Sequence, residues 1–416
     1  MALGESMGDV PRWVGAPVLR AWVASKTGEV NRLPRPRDAP ESHSIGFNSD
    51  RVLIFGGGPA VGWGVVSHEI ALTGALGRAL SRRTGRGADV YVLAVPRLKV
   101  GSAADELSGI KLQRFDALVV TLGVNDAGAL TPLASWRRDL AGTLHTIARQ
   151  SSPDSRIFVA GVHPIRSIPV YNSPLGSIAD AHARKMNSIS AAICTLMPRV
   201  TYVSLTAPEA SSALRFRDAM SYRHWGEELA DSMAPQLDAE CLLADFDRTL
   251  RSEEGPGAER DREAAVKQLG ILRDDRTWHF DDIVAQACTT FGVRSATVSV
   301  IDSDHLVHKA QVGDVPQLIT LGESFTASVI RERDGMMVPD AGADARFRNL
   351  PHVAGEPHIR FYAGYPVESP DGSRIGTLNI FDPAPRLSYD SWQLLRLRQF
   401  GFMVQAEIRR GGDLRH

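Results

Sequence analysis

The chain has little cysteine: Cys194, Cys241 and Cys288 are the 3 among 416 residues. They lie far apart and form no metal-ligand cluster, and an odd, sparse count fits a reducing compartment better than a disulfide framework. No apolar run approaches the roughly 18 residues that a membrane-spanning helix needs. The opening residues, MALGESMGDV, carry neither the basic nor the apolar segment of an export signal. An excess of charge is also missing. With 47 Lys and Arg against 48 Asp and Glu, the net charge of -1 makes no electrostatic case for nucleic acid or an anionic membrane. A cytoplasmic protein with neither partner is expected. What is there is an ordinary globular balance, 43% hydrophobic and 23% charged, on a chain long enough for two to three domains.

Residues 1–50 are mixed, and the Pro- and charge-rich RLPRPRDAPESHS reads as an extended arm. From 51 to 237 short apolar runs alternate with amphipathic stretches. RVLIF (51–55), DVYVLAV (89–95), FDALVVTLG (115–123), RIFVAGV (156–162) and VTYVSL (200–205) have the composition of strands. Helices are expected at 69–83, 101–108, 132–150, 176–196 and 222–235. Continuous apolar strands separated by helices predict an α/β domain with a parallel sheet covered on both faces. Residues 238–275 form a charged linker broken at Gly255-Pro256-Gly257. Leu242, Leu243, Phe246 and Leu250 make one helical stripe, and Val266, Leu269 and Leu272 another. Such stripes either pack on their own domains or meet a second copy in a dimer seam. From 276 to 411 the order is helix, strands, helix: an α+β domain with two antiparallel hairpins, 296–302 with 305–313 and 360–369 with 374–382. The last helix, 388–410, carries Trp392, Leu395, Phe402 and Met403 on an apolar side.

RVLIFGGGPAVGWGV (51–65) raises the chemical question. A strand that opens into a glycine turn presents a phosphate cradle or a nucleophile. The turn lacks the Lys-Ser/Thr of a phosphate loop, its third glycine follows after three residues rather than two, and the next strand ends in LAVP with no acid for a ribose. A dinucleotide site is therefore not expected.

In the order of its blocks, 51–237 resembles the SGNH/GDSL hydrolases. GVND (Gly123, Val124, Asn125, Asp126) matches the third block of that family, and DAMSYRHWGEELA (218–230) resembles its last. The resemblance implies a flavodoxin-like three-layer fold. It also implies a serine nucleophile at Gly58, its acidic neighbour at Gly57, a second-block glycine at Arg97, and an Asp-x-x-His pair at Asp218 and Ser221, with His224 the nearest imidazole. Glycine has no atom to attack a carbonyl, so two of the three triad roles are unfilled. Asn125 is left as one oxyanion donor. Ser67, Ser102 and Ser221 are the nearby hydroxyls, each better read as a helix cap or a surface hydroxyl. His163, in GVHPIRSIP, either shares the rim or serves a plain loop. The expectation is a binding site of Gly57, Gly58, Asn125 and His163 where a hydrolase site used to be. The alternative is an esterase with a non-standard nucleophile.

VPDAGADARFRNLPHVAGEPHIRFYAGYPVESPDGSRIGTLNIFDPAPRLS (338–388) strongly resembles a bacterial GAF domain. That resemblance implies a ligand-binding or signal-input module that pairs through terminal helices. Phe325, Arg360 and Tyr362 are its candidate ligand contacts, and Asp344 and Arg346 are expected to pair across a loop. ESFTASVI (323–330) offers neither a thiol for a bilin nor a histidine for haem, and His305, His308, His352 and His358 look scattered, so no cofactor and no metal are expected. An unidentified small ligand, a regulated protein partner and a homodimer are the expected associations.

Overall fold

The structure, a computed structural model, describes residues 21–22, 25, 32–167, 171–207, 218–247, 258–273, 278–315, 319–386 and 391–413. The chain divides into two compact units, Met1–Asp247 and Arg248–His416.

The first unit runs β1 (Glu41–Ser44), β2 (Asp50–Gly56), α1 (Leu72–Thr84), β3 (Ala88–Ala94), β4 (Ala117–Thr121), α2 (Val124–Ala129), α3 (Leu133–Gln150), β5 (Arg156–Ala160), α4 (Pro174–Cys194), β6 (Val200–Val203) and α5 (Ala219–Asp247). The sheet order is β1-β3-β2-β4-β5-β6, and every pairing is parallel except that of β1 with β3. All seven residues of β2 are buried because both faces of the sheet are covered. Leu53, Phe55, Leu118 and Val120 belong to the core cluster that also holds Trp136 and Leu140 of α3. Val52, Ile54 and Val119 belong to the opposite one, with Leu76 of α1 and Trp225 of α5. The chain leaves β2 for β3 on one side, and β4 lies on the other. The carboxyl ends of β2 and β4 therefore flank the switch point where open α/β sheets bind ligands.

Three expectations change here. The arm contributes an edge strand: β1 is pinned to β3 by His43, whose ring bonds Asp89 at 2.8 Å and approaches Glu41 at 3.2 Å. The helix expected at 101–108 is two 3-10 turns, Val100–Ser102 and Asp105–Leu107. Glycines at 101 and 109 bracket a stretch too short to offset helix nucleation. The last helix of the unit is longer than 222–235 and runs on to Asp247.

The second unit contains α6 (Ala258–Leu269), α7 (Phe280–Phe291), β7 (Ser295–Asp302), β8 (His305–Val312), β9 (Ile319–Thr320), α8 (Thr326–Val329), β10 (Met336–Val338), α9 (Pro351–Ala354), β11 (Phe361–Glu368), β12 (Arg374–Asp382) and α10 (Ser391–Asp413). Its antiparallel sheet has the order β10-β11-β12-β7-β8-β9. Period-two alternation divides the sheet. Ala296, Val298, Val300, Leu378 and Ile380 face the core with α7 and α10, while Thr297, Ser299, Thr377 and Asn379 lie on the other face. Val266 and Leu269 are buried in this unit's own core, with Leu272 packed against it. Side chains 242–247, Leu250 and the Gly-Pro-Gly break lie outside the described residues. On α10 Leu395 is buried, but Trp392 and Met403 are 62% and 42% exposed.

Candidate functional site

At the end of β2 the chain turns through Gly57 and Gly58. Gly57 donates its N–H to the Thr121 carbonyl at 2.9 Å, and Thr121 Oγ1 donates back to the Gly57 carbonyl at 3.1 Å, which locks the turn to β4. A Cβ on Gly57 would sit 3.3 Å from Asn125 Nδ2 and 3.2 Å from the Val95 carbonyl. The first three sequence blocks thus meet in space. Gly58 has φ +56°, the left-handed conformation that glycine adopts at little cost, and a Cβ there would come within 3.0 Å of Val124 Cγ2.

The surrounding polar groups are turned onto the scaffold. Asn125 Nδ2 donates to the carbonyls of Leu98 at 2.9 Å and Pro96 at 3.3 Å, so the expected oxyanion donor instead holds the loop after β3. Asp126 is 1% exposed and accepts from the Val100 N–H at 3.2 Å and the Thr131 hydroxyl at 3.0 Å. Burial raises its carboxyl above the usual range against the pull of those bonds. Gly123 starts α2 at φ +111°, and a Cβ would strike Val162 Cγ2 at 2.5 Å. Arg97 is exposed.

The last block is a helix cap. Asp218 Oδ1 accepts the Ser221 N–H at 2.9 Å and the Ser221 hydroxyl at 3.1 Å, as a capping carboxylate does at the start of a helix. His163 is fully buried, its ring edge-on to Trp225 at 4.8 Å, and so does not open onto a rim. His224 lies 2.7 Å from the Thr206 hydroxyl, which also donates to Glu228. This hydroxyl–imidazole–carboxylate cluster follows β6, two strands beyond the β4 end that carries Asn125. The last block pointed to His224, but nothing in the sequence pointed to Thr206 as its partner. Ser67 is a cap, accepting the Glu69 N–H, while its hydroxyl and His68 both bond Asp38 at 2.7 Å.

In the second unit a cavity of about 30 Å³ lies on the polar face of the sheet. Phe325 and Tyr362 stack at 4.1 Å on its wall. Tyr362 donates to Asn379 Oδ1 at 2.6 Å, and Asn379 Nδ2 donates to Thr297 Oγ1 at 2.9 Å and Ser299 Oγ at 3.2 Å. Ser299 Oγ in turn contacts His308 Nδ1 at 2.9 Å, and Thr326 pairs with Thr377 at 3.1 Å. Burial holds the Tyr362 hydroxyl far above its ordinary range. Phe325 and Tyr362 thus line the cavity. Arg360 does not: its guanidinium forms two 2.6 Å bonds to Asp340. Asp344 and Arg346 do pair, at 2.7 Å. Sequence reasoning missed His352, which is 6% exposed and lines the cavity. Only the fold of α9 brings it there, and its local sequence gives no signal.

Among the described residues no group of three or more His, Cys, Asp or Glu side chains has the arrangement of a metal site. No helix among them is long and apolar enough to cross a membrane.

Comparison with known proteins gives the context. Residues 54–228 match the model of the GDSL-like lipase/acylhydrolase family, and residues 279–408 that of the GAF domain. A cyclic di-GMP phosphodiesterase of Pseudomonas aeruginosa is 35% identical over 153 residues, 37% of this chain and 26% of that protein, so the chain spans about a quarter of that relative's length. Among solved structures, a lipase from a goat rumen metagenome has 13% identity and a TM-score of 0.37, over 45% of this chain and 100% of that one. The GAF domain of an Acinetobacter phosphoenolpyruvate-protein phosphotransferase has 16% identity and a TM-score of 0.29, over 39% and 99%. With both family models matched by separate units, the chain joins a GDSL-like lipase/acylhydrolase domain to a GAF domain.

Proposed function

We propose that this is a cytoplasmic regulatory protein in which the GAF unit binds a small molecule and the hydrolase-like unit has lost ester hydrolysis. One observation carries the reading: where the family places its serine, Gly58 offers no hydroxyl, and Asn125, the oxyanion donor beside it, spends its amide on Pro96 and Leu98. Acyl transfer requires nucleophile, base and orienter in mutual hydrogen-bond reach, and loss of the nucleophile alone costs several orders of magnitude in rate. Ser221 in the histidine slot is bound to Asp218 and supplies no base. The GAF unit, with its buried polar face and cavity, supplies the input, and a protein partner is the natural recipient of the signal. The test treats the full chain with a fluorophosphonate probe and short p-nitrophenyl esters. Neither labelling nor turnover is expected, and labelling that survives Thr206→Ala would overturn the reading.

A second reading has its own observation. Thr206, His224 and Glu228 bring a hydroxyl, an imidazole and a carboxylate together. Both partners approach Thr206, and Glu228 is 3.5 Å from the same Nε2 that meets the hydroxyl rather than on the far ring nitrogen where an orienting carboxylate sits. Labelling abolished by Thr206→Ala would establish an esterase with a non-standard nucleophile.

A further inference from the structure

The polar groups around the GAF cavity make a nearly closed account. Tyr362, Asn379, Thr297, Ser299 and His308 are joined in one hydrogen-bonded chain, Thr326 is paired with Thr377, and Ser324 donates to the Leu321 carbonyl at 2.7 Å. His352 breaks the pattern. Its Nε2 is buried without a hydrogen-bond partner. Burial pulls its pKa below the ordinary histidine value, against the opposing pull of the Glu323 backbone and charge, and so favours the neutral ring. A neutral imidazole has one N–H and one lone pair, and with the N–H assigned to Nδ1 the lone pair falls on Nε2. A buried acceptor without a donor costs roughly 1–3 kcal/mol, and such a group in a native fold calls for a reason.

Two further features limit what would satisfy it. Among the described residues the lining holds no Lys, Arg, Asp or Glu, so a phosphate or carboxylate would be desolvated there with no opposite charge to pair with. The cavity volume of about 30 Å³ is far below the roughly 300–1,000 Å³ of sites for larger ligands. Apolar contact is offered by Phe325, Leu306, Ile359 and Phe381.

We propose that this cavity takes a compact, uncharged molecule that presents an N–H or O–H to His352 Nε2 and rests its apolar part on the Phe325–Tyr362 pair. The inference deepens the sensor reading of this unit and depends on it. The test is ligand-observed NMR on the full chain with three probes: propionamide, its charged isostere propionate, and cyclic di-GMP. Propionamide is expected to bind, and propionate and the dinucleotide are not. His352→Phe, which keeps the ring volume and removes the acceptor, should weaken propionamide about tenfold, the value of one hydrogen bond. His352→Gln, which restores an acceptor, should recover most of the loss. Should His352→Phe prove poorly folded, the His352→Gln chain and the amide–carboxylate contrast still decide. Binding of propionate or cyclic di-GMP in preference to the amide, or amide binding indifferent to both substitutions, overturns the ligand class while the sensor reading stands. Failure of all three probes to bind likewise overturns the ligand class, while the sensor reading, which names no ligand, stands.

Discussion

At the ends of β2 and β4 the polar side chains are spent on the protein itself, Asn125 on two carbonyls, Asp126 on Val100 and Thr131, Ser221 on Asp218. Around the cavity on the polar face of β7, β11 and β12 the side-chain groups are also bonded to one another, but His352 Nε2, brought there by α9, has no partner. Both places sit where their folds form sites. The difference is in what remains unsatisfied. A protein that needs a polar group only for stability satisfies it internally, because an orphan is costly. On the reading proposed above, the site groups of the hydrolase-like unit serve as struts, while the GAF unit keeps one open for a ligand.

The sharpest way to break this comparison is through the core that the struts support. Trp225 is 0% exposed, stacks edge-on with His163 and Tyr222, and donates Nε1–H to the Thr206 carbonyl at 2.9 Å. Trp225→Ala is expected to cost about 3–5 kcal/mol in urea unfolding of the first unit. A loss under about 1 kcal/mol would show that α5 is not integral to that unit.

Two histidines sharpen it next, because they titrate in opposite directions. Burial alone would lower the His43 pKa, but its bonds to Asp89 and Glu41 outweigh this and raise it to about 9 from 6.5. The folded state then holds a proton that the unfolded chain releases. The stabilisation is whole below pH 6.5 and is lost as pH rises through about 9. At about 1.4 kcal/mol per pKa unit it amounts to roughly 3 kcal/mol at most. His352 is the reverse. Its lowered pKa means that the unfolded chain takes up the proton first, so stability falls as pH drops below the ordinary histidine value. Chemical denaturation from pH 5 to 10 should thus show alkaline loss in the first unit, abolished by His43→Gln, and acid loss in the second, abolished by His352→Gln.

What could be read in advance follows the range of the forces. Continuous apolar strands and helical periodicity are local, so the five parallel strands and both hairpins were legible. So was the meeting of Gly57 and Asn125, because block order maps onto strand order at a switch point. The edge strand was not: ESHS is short and polar, and its pairing depends on carboxylates 46 residues away on Asp89 and next door on Glu41. The direction of the Asn125 amide depends on carbonyls in a loop from another strand. His352 looked like one scattered histidine among several, since nothing in PHVA tells that α9 is tucked over a cavity. Trp392 and Met403 read as part of an apolar side and are exposed, because helical spacing identifies a face and not what covers it.

A smaller effect distinguishes a strut from a catalytic donor. Asn125→Ala strands two carbonyls, which predicts a stability loss of about 1–3 kcal/mol by urea unfolding. A donor held ready for an oxyanion would leave stability unchanged. The smallest change tests whether a hydroxyl at position 58 is all that ester hydrolysis here would need. Gly58→Ser puts a side chain at φ +56° with its Cβ 3.0 Å from Val124 Cγ2, for a cost of about 1–2 kcal/mol. Adding Ser221→His supplies a base. The restored serine would still face a site whose asparagine donates to Pro96 and Leu98, so the double variant is expected to remain silent toward p-nitrophenyl acetate. Turnover above the wild-type background would show that the amide swings free when substrate arrives, and that the hydrolase unit, like the GAF unit, has kept a group open for a ligand.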